Sequence, residues 1–558
     1  MRATLPLLAL FTALPAVLAA GRCREGLNYC GSTLISLGWT QSELLAIADG
    51  DTNVEKALFY CEMDGIVEYS GPCTVCQRAP DGHSDACQVG CGADSSGLDA
   101  EGSHLKAVER AGIAETYHIP QSLDDCVIFP KMLLKIRKHL STAAQTAPIE
   151  TDVSASFFDA ASYIPPDAIF ALTAEYNADT FPQKVNLGQG TYRDENGQPW
   201  VLPSVQKARE TLLSQGLYHE YLPILGLQTF RNEATKLALG SEIYDKKQSQ
   251  LAICQSLSGT GALHLAGLLL RSVRKPLPKV YIPSPTWSNH GQVFSSLGFQ
   301  CETFQYYDAE KRDIDIEAYY SALRAAEPNS VVIIHACAHN PTGCDPSKEQ
   351  WKQIGSIMKE RKLFPLFDAA YLGFNSGNVD DDAFAMRYFI DELEMEAGGC
   401  LSFAKNMGLY GERVGCLFFA TGTAKAARNT QSVLEMLQRS EVSNPPAYGA
   451  KIASTILSDD ALKEMWFADL ITMSGRIRSM RRALYDGLIK SGAPGTWEHL
   501  IRQSGMFGFL GLSPAVVQKL KDKYHIYMAS NSRVSIAGLN PSNVEYVAHS
   551  IAECLNES

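Results

Sequence analysis

The segment Ser402-Phe403-Ala404-Lys405-Asn406-Met407-Gly408-Leu409-Tyr410-Gly411-Glu412-Arg413-Val414-Gly415 sets a lysine just beyond an apolar run, three residues after a hydroxyl and eight before an arginine. A partly desolvated lysine has a lowered pKa and becomes the kind of nucleophile that forms imines with aldehydes. A single lysine would ordinarily be a solvated surface group, but four other segments keep this one company. Asp368 ends the apolar run Leu363 to Phe367, with Tyr371 three residues on. A carboxylate there is costly unless a cation or hydrogen-bond donors face it. The run Ser256-Leu257-Ser258-Gly259-Thr260-Gly261-Ala262-Leu263 follows another apolar stretch and opens a helix. Its small residues let backbone N–H groups approach an anion at a positive helix end, so phosphate is the natural guest. Pro283 to His290 carries the flat ring of Trp287, and Ala336 to Gly343 presents Asn340 in a turn whose Asn-Pro bond is a candidate for cis. An amine, a carboxylate, an anion cup, a stacking ring and an amide thus stand at five strand ends.

The elements that must position them are legible as alternation. Candidate buried strands are Leu251 to Cys254, Lys279 to Ile282, Val331 to His335, Leu363 to Phe367, Leu401 to Phe403 and Cys416 to Phe419; helical patterns such as Ala262 to Arg271 and Lys348 to Lys362 lie between them. Strand and helix in alternation predict an α/β fold with a mainly parallel sheet covered on both faces, whose ligand sits beyond the carboxyl ends of the strands.

The whole chain has 558 residues, 46% of them apolar and 20% charged, with 61 acidic against 49 basic side chains and a net charge of -12. That length accommodates several domains at about 150 residues each. The negative balance disfavours nucleic acid and anionic membrane as partners. Leu5 to Ala20 is the one strongly apolar stretch; with Arg2 ahead of it and small residues at its exit it reads as a secretory signal at 1–20, with no membrane association expected in the mature form. Seven of the 15 cysteines follow within residues 21–92: Cys23, Cys30, Cys61, Cys73, Cys76, Cys87 and Cys91. Such density behind a signal reads as a small disulfide-rich module, the rival being a zinc site from Cys73-x2-Cys76 and Cys87-x3-Cys91. Residues 93–153 read as a linker. Cys126 is a candidate eighth partner; the seven cysteines from Cys254 to Cys554 are scattered without framework spacing, and the sole sequon is Asn556-Glu557-Ser558, which suggests an enzyme shaped for a reducing compartment. Two readings of location follow: secretory or extracellular if the leader acts as written, cytoplasmic if the enzyme starts near residue 154, the chain then joining two neighbouring reading frames or being a recent fusion.

From about Phe157 to its end the sequence resembles the aspartate aminotransferases, pyridoxal-phosphate enzymes of fold type I. The motifs that carry the likeness are those above together with Asn186-Leu187-Gly188-Gln189-Gly190-Thr191-Tyr192-Arg193, Tyr218 to Gly226, Arg439-Ser440-Glu441-Val442-Ser443-Asn444-Pro445-Pro446 and Gly505-Met506-Phe507. The resemblance implies a small domain from 154–200 and 472–558, and a large cofactor-binding domain at 201–471. It implies that Lys405 holds pyridoxal 5'-phosphate as an aldimine and later shuttles a proton, and that Asp368 pairs with the ring nitrogen, backed by His290. Asn340 and Tyr371 would bond the phenolic oxygen, Trp287 would stack on the ring, and Ser258, Gly259, Thr260, Ser402 and Arg413 would hold the phosphate with Tyr221 of a second subunit. Arg533 would clamp the α-carboxylate, Gly190 would let backbone approach the substrate, and Arg439, from across a homodimer interface, would bind the distal carboxylate. No metal is implied.

The reaction so implied is ping-pong transfer of the amino group from L-aspartate to 2-oxoglutarate, giving oxaloacetate and L-glutamate, with dicarboxylic amino acids and 2-oxo acids as partners. Gln189, Thr191 and Val442 depart from residues common in animal relatives and bear on fine specificity. Rival readings are an aromatic or broad-specificity aminotransferase, a decarboxylase of the same fold type, and a secreted cysteine-rich binding module fused to an inactive enzyme fold.

Overall fold

Six mostly apolar runs and one mixed edge strand, β3, form the central sheet: β1 (Leu251–Leu257), β2 (Val280–Ser284), β3 (Cys301–Gln305), β4 (Val331–His335), β5 (Phe364–Ala369), β6 (Ala397–Ser402) and β7 (Val414–Ala420). Their spatial order is β1-β7-β6-β5-β4-β2-β3, and β7 alone runs antiparallel to both its neighbours. The expected mainly parallel sheet is therefore present, as a mixed sheet with one reversed strand. Along β4 the side chains alternate, Val331 and Ile333 into one buried cluster and Val332 and Ile334 into the other. A two-sided core of this kind requires apolar residues on both faces of the inner strands, which is why those read as nearly continuous runs.

The computed structural model describes residues 28–30, 34, 44, 57–61, 67–72, 75–77, 86–88, 156–158 and 160–557. The chain divides into two units, Met1–Val153 and Ser154–Ser558. In the first, Asn28–Cys30, Ala57–Cys61 and Val67–Pro72 form an antiparallel sheet, and Val75–Gln77 pairs with Ala86–Gln88. The secretory signal and the linker lie outside the described residues, as do the cysteine side chains on which the disulfide framework and its zinc alternative depend.

In the second unit the helices that matter to the site are α1 (Ala168–Ala178), α2 (Ser258–Val273), α3 (Asn289–Ser296), α4 (Lys348–Glu360), α5 (Ala424–Val442) and α6 (Asp460–Lys490). The α4 start is fixed by a capping box: Ser347 and Gln350 each accept the other's backbone N–H. Asp167 caps α1 by accepting from the N–H groups of Ile169 and Phe170. The sequence puts the helix after β1 at Ala262 to Arg271; it begins four residues earlier, at Ser258, immediately after the strand.

The two ends of this unit meet. Val185–Asn186 pairs in parallel with Ile526–Tyr527, and β8 (Phe507–Phe509) pairs antiparallel with β9 (Arg533–Ser535). The Ser535 N–H donates to Leu187 O, and Arg533 reaches Gly188 O. The long helix α6 runs through position 472, where the resemblance places a domain junction.

Candidate active site

Beyond the carboxyl ends of β4, β5 and β6 lies a cavity of about 530 Å³. Of the site residues drawn from the sequence, Gly190, Ser258, Gly259, Thr260, Trp287, Asn340, Asp368, Tyr371, Ser402, Lys405, Arg413 and Arg533 all line it. Tyr221 and Arg439 do not; Tyr221 is 87% exposed, and Arg439 is an exposed residue at the last turn of α5, where its guanidinium donates to Ser443 Oγ.

At one end of the cavity an anion-holding turn is built from two strands. The Ser258 and Ser402 hydroxyls are 2.9 Å apart, and the Ser258 N–H donates to Arg413 O. Ser258 and Arg413 both take left-handed backbone angles, φ 59° and 53°. This close approach needs Gly415: a Cβ there would fall 2.5 Å from the Ser258 carbonyl carbon. Two hydroxyls, the start of α2 and an arginine make a donor set suited to a phosphate.

In the middle, Lys405 lies three residues past β6 with its Nζ 5.0 Å from the centre of the Tyr371 ring. Burial lowers its pKa; Asp368 opposes that shift and Arg413 adds to it, leaving the amine below its ordinary value. Asp368 sits near the end of β5 and accepts from His290 Nε2 at 3.0 Å. Burial alone would raise the carboxyl, but the His290 hydrogen bond and nearby positive charge outweigh it and hold it below the usual range. With the Nε2 proton turned to the carboxylate, His290 Nδ1 accepts from the Thr286 hydroxyl at 2.9 Å. Burial pushes the Tyr371 phenol far up, so it stays protonated as a donor.

At the other end Arg533 stands 4.4 Å from the Phe507 ring centre and donates through Nη2 to Gly188 O at 2.8 Å. Its Nε is buried and makes no hydrogen bond. A half-buried, permanently charged fork with a spare buried donor is suited to a carboxylate ligand. Gly190 is pressed against Phe507; a Cβ on it would lie 2.9 Å from that ring.

Several groups in and behind the cavity wall escaped the sequence reading. Thr286 stands four residues before His290 and could have been found from that spacing. His335 ends β4 in register with Asp368, another strand end open to the same logic; both its ring nitrogens are buried without partners, and burial keeps it neutral. The Tyr410 hydroxyl accepts from the Tyr192 N–H at 2.9 Å. Asp167 and Phe170 come from α1, far off in sequence, and no local signal points to them.

Sheet and cavity together define a fold-type I enzyme, one with a buried amine and carboxylate between an anion-holding turn and a carboxylate-binding arginine. A sequence model of the family "Aminotransferase class I and II" matches residues 182–551. The chain is 44% identical over 409 residues to the cytoplasmic aspartate aminotransferase of Saccharomyces cerevisiae, covering 72% of this chain and 97% of that one. The solved structure of an aspartate aminotransferase from S. cerevisiae cytoplasm superposes with a TM-score of 0.70 at 42% identity, covering 72% of this chain and all of that one. An aromatic-amino-acid aminotransferase from Burkholderia pseudomallei, solved covalently bound to pyridoxal phosphate, gives 0.70 at 36% identity, with 72% of this chain and 100% of that one covered. The chain belongs to the class I and II aminotransferases.

Proposed function

We propose that this chain is an aspartate aminotransferase that exchanges an amino group between L-aspartate and 2-oxoglutarate by ping-pong kinetics, with pyridoxal 5'-phosphate as cofactor. The observation that carries the reading is the cavity itself, in which a pKa-lowered amine and an ionised carboxylate lie between an anion-holding turn and an arginine with a free buried donor. When bound, the cofactor supplies the electron sink for the carbanion formed at the substrate's Cα.

The chain's own residues do the rest. Lys405 would hold the cofactor through its aldehyde carbon, and its amine, freed when substrate binds, would carry the proton taken from the substrate's Cα. Burial suits it to both tasks, because a lowered pKa leaves more of the amine unprotonated near neutral pH. Asp368, kept ionised by His290, binds the protonated ring nitrogen. Asn340 and the Tyr371 hydroxyl bond the phenolic oxygen, and Trp287 covers the ring. Ser258, Gly259, Thr260, Ser402 and Arg413 hold the phosphate. Arg533 grips the α-carboxylate while Gly190 leaves the substrate room beside the backbone.

The protein acts as a homodimer with composite sites. Tyr221 and Arg439, exposed on the single chain, reach the cavity of the second copy, Tyr221 at the phosphate and Arg439 at the distal carboxylate. Leaving a dicarboxylate's second charge unpaired in a dry pocket would cost several kcal/mol, about 3–5 by analogy with broken buried pairs. That is the reason Arg439 selects dicarboxylic substrates. The catalytic unit works in a reducing, cytoplasm-like compartment: Cys254, Cys337, Cys344, Cys400 and Cys416 are buried, and none of them forms a disulfide. The secretory alternative rests on residues 1–20.

An aromatic or broad-specificity activity is favoured by the likeness to the Burkholderia enzyme. One experiment separates the readings. Aspartate added alone to the purified holoenzyme should shift the cofactor's visible absorption to shorter wavelength, and 2-oxoglutarate should restore it, with both changes absent in Lys405→Ala. Phenylalanine driving the same shift with higher kcat/KM than aspartate would establish the aromatic reading instead.

A further inference from the structure

The segment Gly188 to Arg193 is one residue layer thick and has a cavity on each side. Gly190 faces the catalytic cavity, while its neighbours Gln189 and Thr191 line a second cavity of about 540 Å³, as large as the first. The walls of this second space come from the end of α1, residues 182–186, the turn 196–198 and residues 538–546. Its chemistry is one-sided. Lys184 and Arg193 line it, and no carboxylate does. Lys184 Nζ donates to the carbonyls of Tyr176 and Asp179 at 2.8 and 2.6 Å, and among the described residues neither cation has an acidic partner. Amides dominate the remaining surface, including Asn177, Gln189 and Asn540. Thr191 Oγ1 is buried and has no hydrogen-bond partner.

We propose that this second cavity binds a small hydroxylated organic anion: its carboxylate or phosphate meets Lys184 and Arg193, and its hydroxyls meet the amides and Thr191 Oγ1. Amide groups pair donor and acceptor within one side chain, which matches the hydroxyl group, while unpaired cations without carboxylates favour an anion. The site is coupled to catalysis through its own wall. Asn186 Oδ1 accepts from the N–H groups of Gly188 and Gln189, Gly188 O accepts from Arg533, and the Tyr192 N–H is held by Tyr410. A ligand that orders Gln189 and Thr191 therefore braces the backbone that positions Arg533. This coupling, unlike the binding, rests on Arg533 being the α-carboxylate clamp.

The test measures thermal unfolding of the holoenzyme with gluconate and with glucose 6-phosphate, in the presence of saturating succinate to occupy the catalytic cavity. Either probe at about tenfold excess over its Kd should raise Tm by about 2 °C. The rise should vanish in Arg193→Gln and in Lys184→Gln, two variants that remove the cavity's cations and keep basal transamination. Two variants guard against loss through misfolding, and each must show an unliganded Tm close to that of the parent. Retention of the shift in both variants, or its absence from the parent with both probes up to about 50 mM, would overturn the proposal. A shift that disappears when succinate is added would place the probe in the catalytic cavity and overturn it equally. Where binding holds, the KM for aspartate should change by about twofold or more with kcat nearly constant; an unchanged KM removes the coupling and leaves the binding site.

Discussion

His290 Nε2 lies 3.0 Å from Asp368 Oδ2 with both side chains buried, and the other ring nitrogen is held by Thr286. Three residues from two separate segments thus form a single hydrogen-bonded line ending on the carboxylate beside Lys405. Burial by itself raises the Asp368 pKa, and the line outweighs it and holds the carboxyl below its ordinary value. A group whose folded pKa is depressed adds stability above its unfolded value, and that stability is lost as pH falls through the folded one.

His290→Asn should therefore let burial raise the Asp368 pKa, moving the acid limb of kcat upward in pH while leaving KM for aspartate within about twofold. A profile with an unmoved acid limb would show that His290 only fills space. Asp368→Ala should cost more, about 10³-fold in kcat or beyond, because the ring nitrogen loses its charged partner.

Lys405→Ala should reduce kcat by about 10⁴-fold or more, since one amine serves as nucleophile and as proton carrier. Stopped-flow absorbance with aspartate alone would measure the half-reaction. Partial rescue by added methylamine would identify the missing proton carrier.

Composite sites predict complementation. A dimer pairing Lys405→Ala with Arg439→Asp has one site with an intact lysine facing an intact Arg439. Random reassociation of equal amounts should restore about a quarter of the parent aspartate activity, since half the dimers are mixed and each has one good site. No recovery, with mixed dimers present by native mass spectrometry, would remove the shared-site arrangement.

Gly415→Ala places a Cβ 2.5 Å from the Ser258 carbonyl carbon, where only backbone can give way. The anion-holding turn should shift, raising the cofactor's Kd about tenfold or more and lowering stability by about 1–3 kcal/mol. Equilibrium dialysis of the cofactor and urea unfolding would measure the two effects.

His499 supplies a pH signature far from catalysis. Burial, reinforced by the charges of Arg312 and Arg502, depresses its pKa from 6.5 to about 3. Between those values the unfolded chain takes up a proton that the folded chain refuses, so stability falls as pH drops below about 6.5, by up to about 1.4 kcal/mol per pH unit. Buried His335 and His339 add slopes of the same sign. His499→Gln should flatten the dependence of unfolding free energy on pH between 6.5 and 4 by one histidine's share.

The strand-end residues were legible in the sequence because each sits within a few positions of an apolar run, and parallel strands buried on both faces bring their carboxyl ends to one edge. Lys405, Asp368, Asn340, Trp287 and the Ser258 turn follow from that rule alone. Sequence also carried the anion-binding chemistry of the turn and the choice of arginine for carboxylates, since both depend on residue type. Three things needed the tertiary structure. The reversed direction of β7 is set by its pairing on either side, and a buried run reads the same in both directions. The positions of Asp167 and Arg533 at one cavity depend on the pairing of the two ends of the catalytic unit, separated by more than three hundred residues. The second cavity exists because Gly190 alternates with Gln189 and Thr191 across a single layer of backbone. Local pattern reports what a side chain is and how often its neighbours recur, and only the packed chain decides which distant segment it meets.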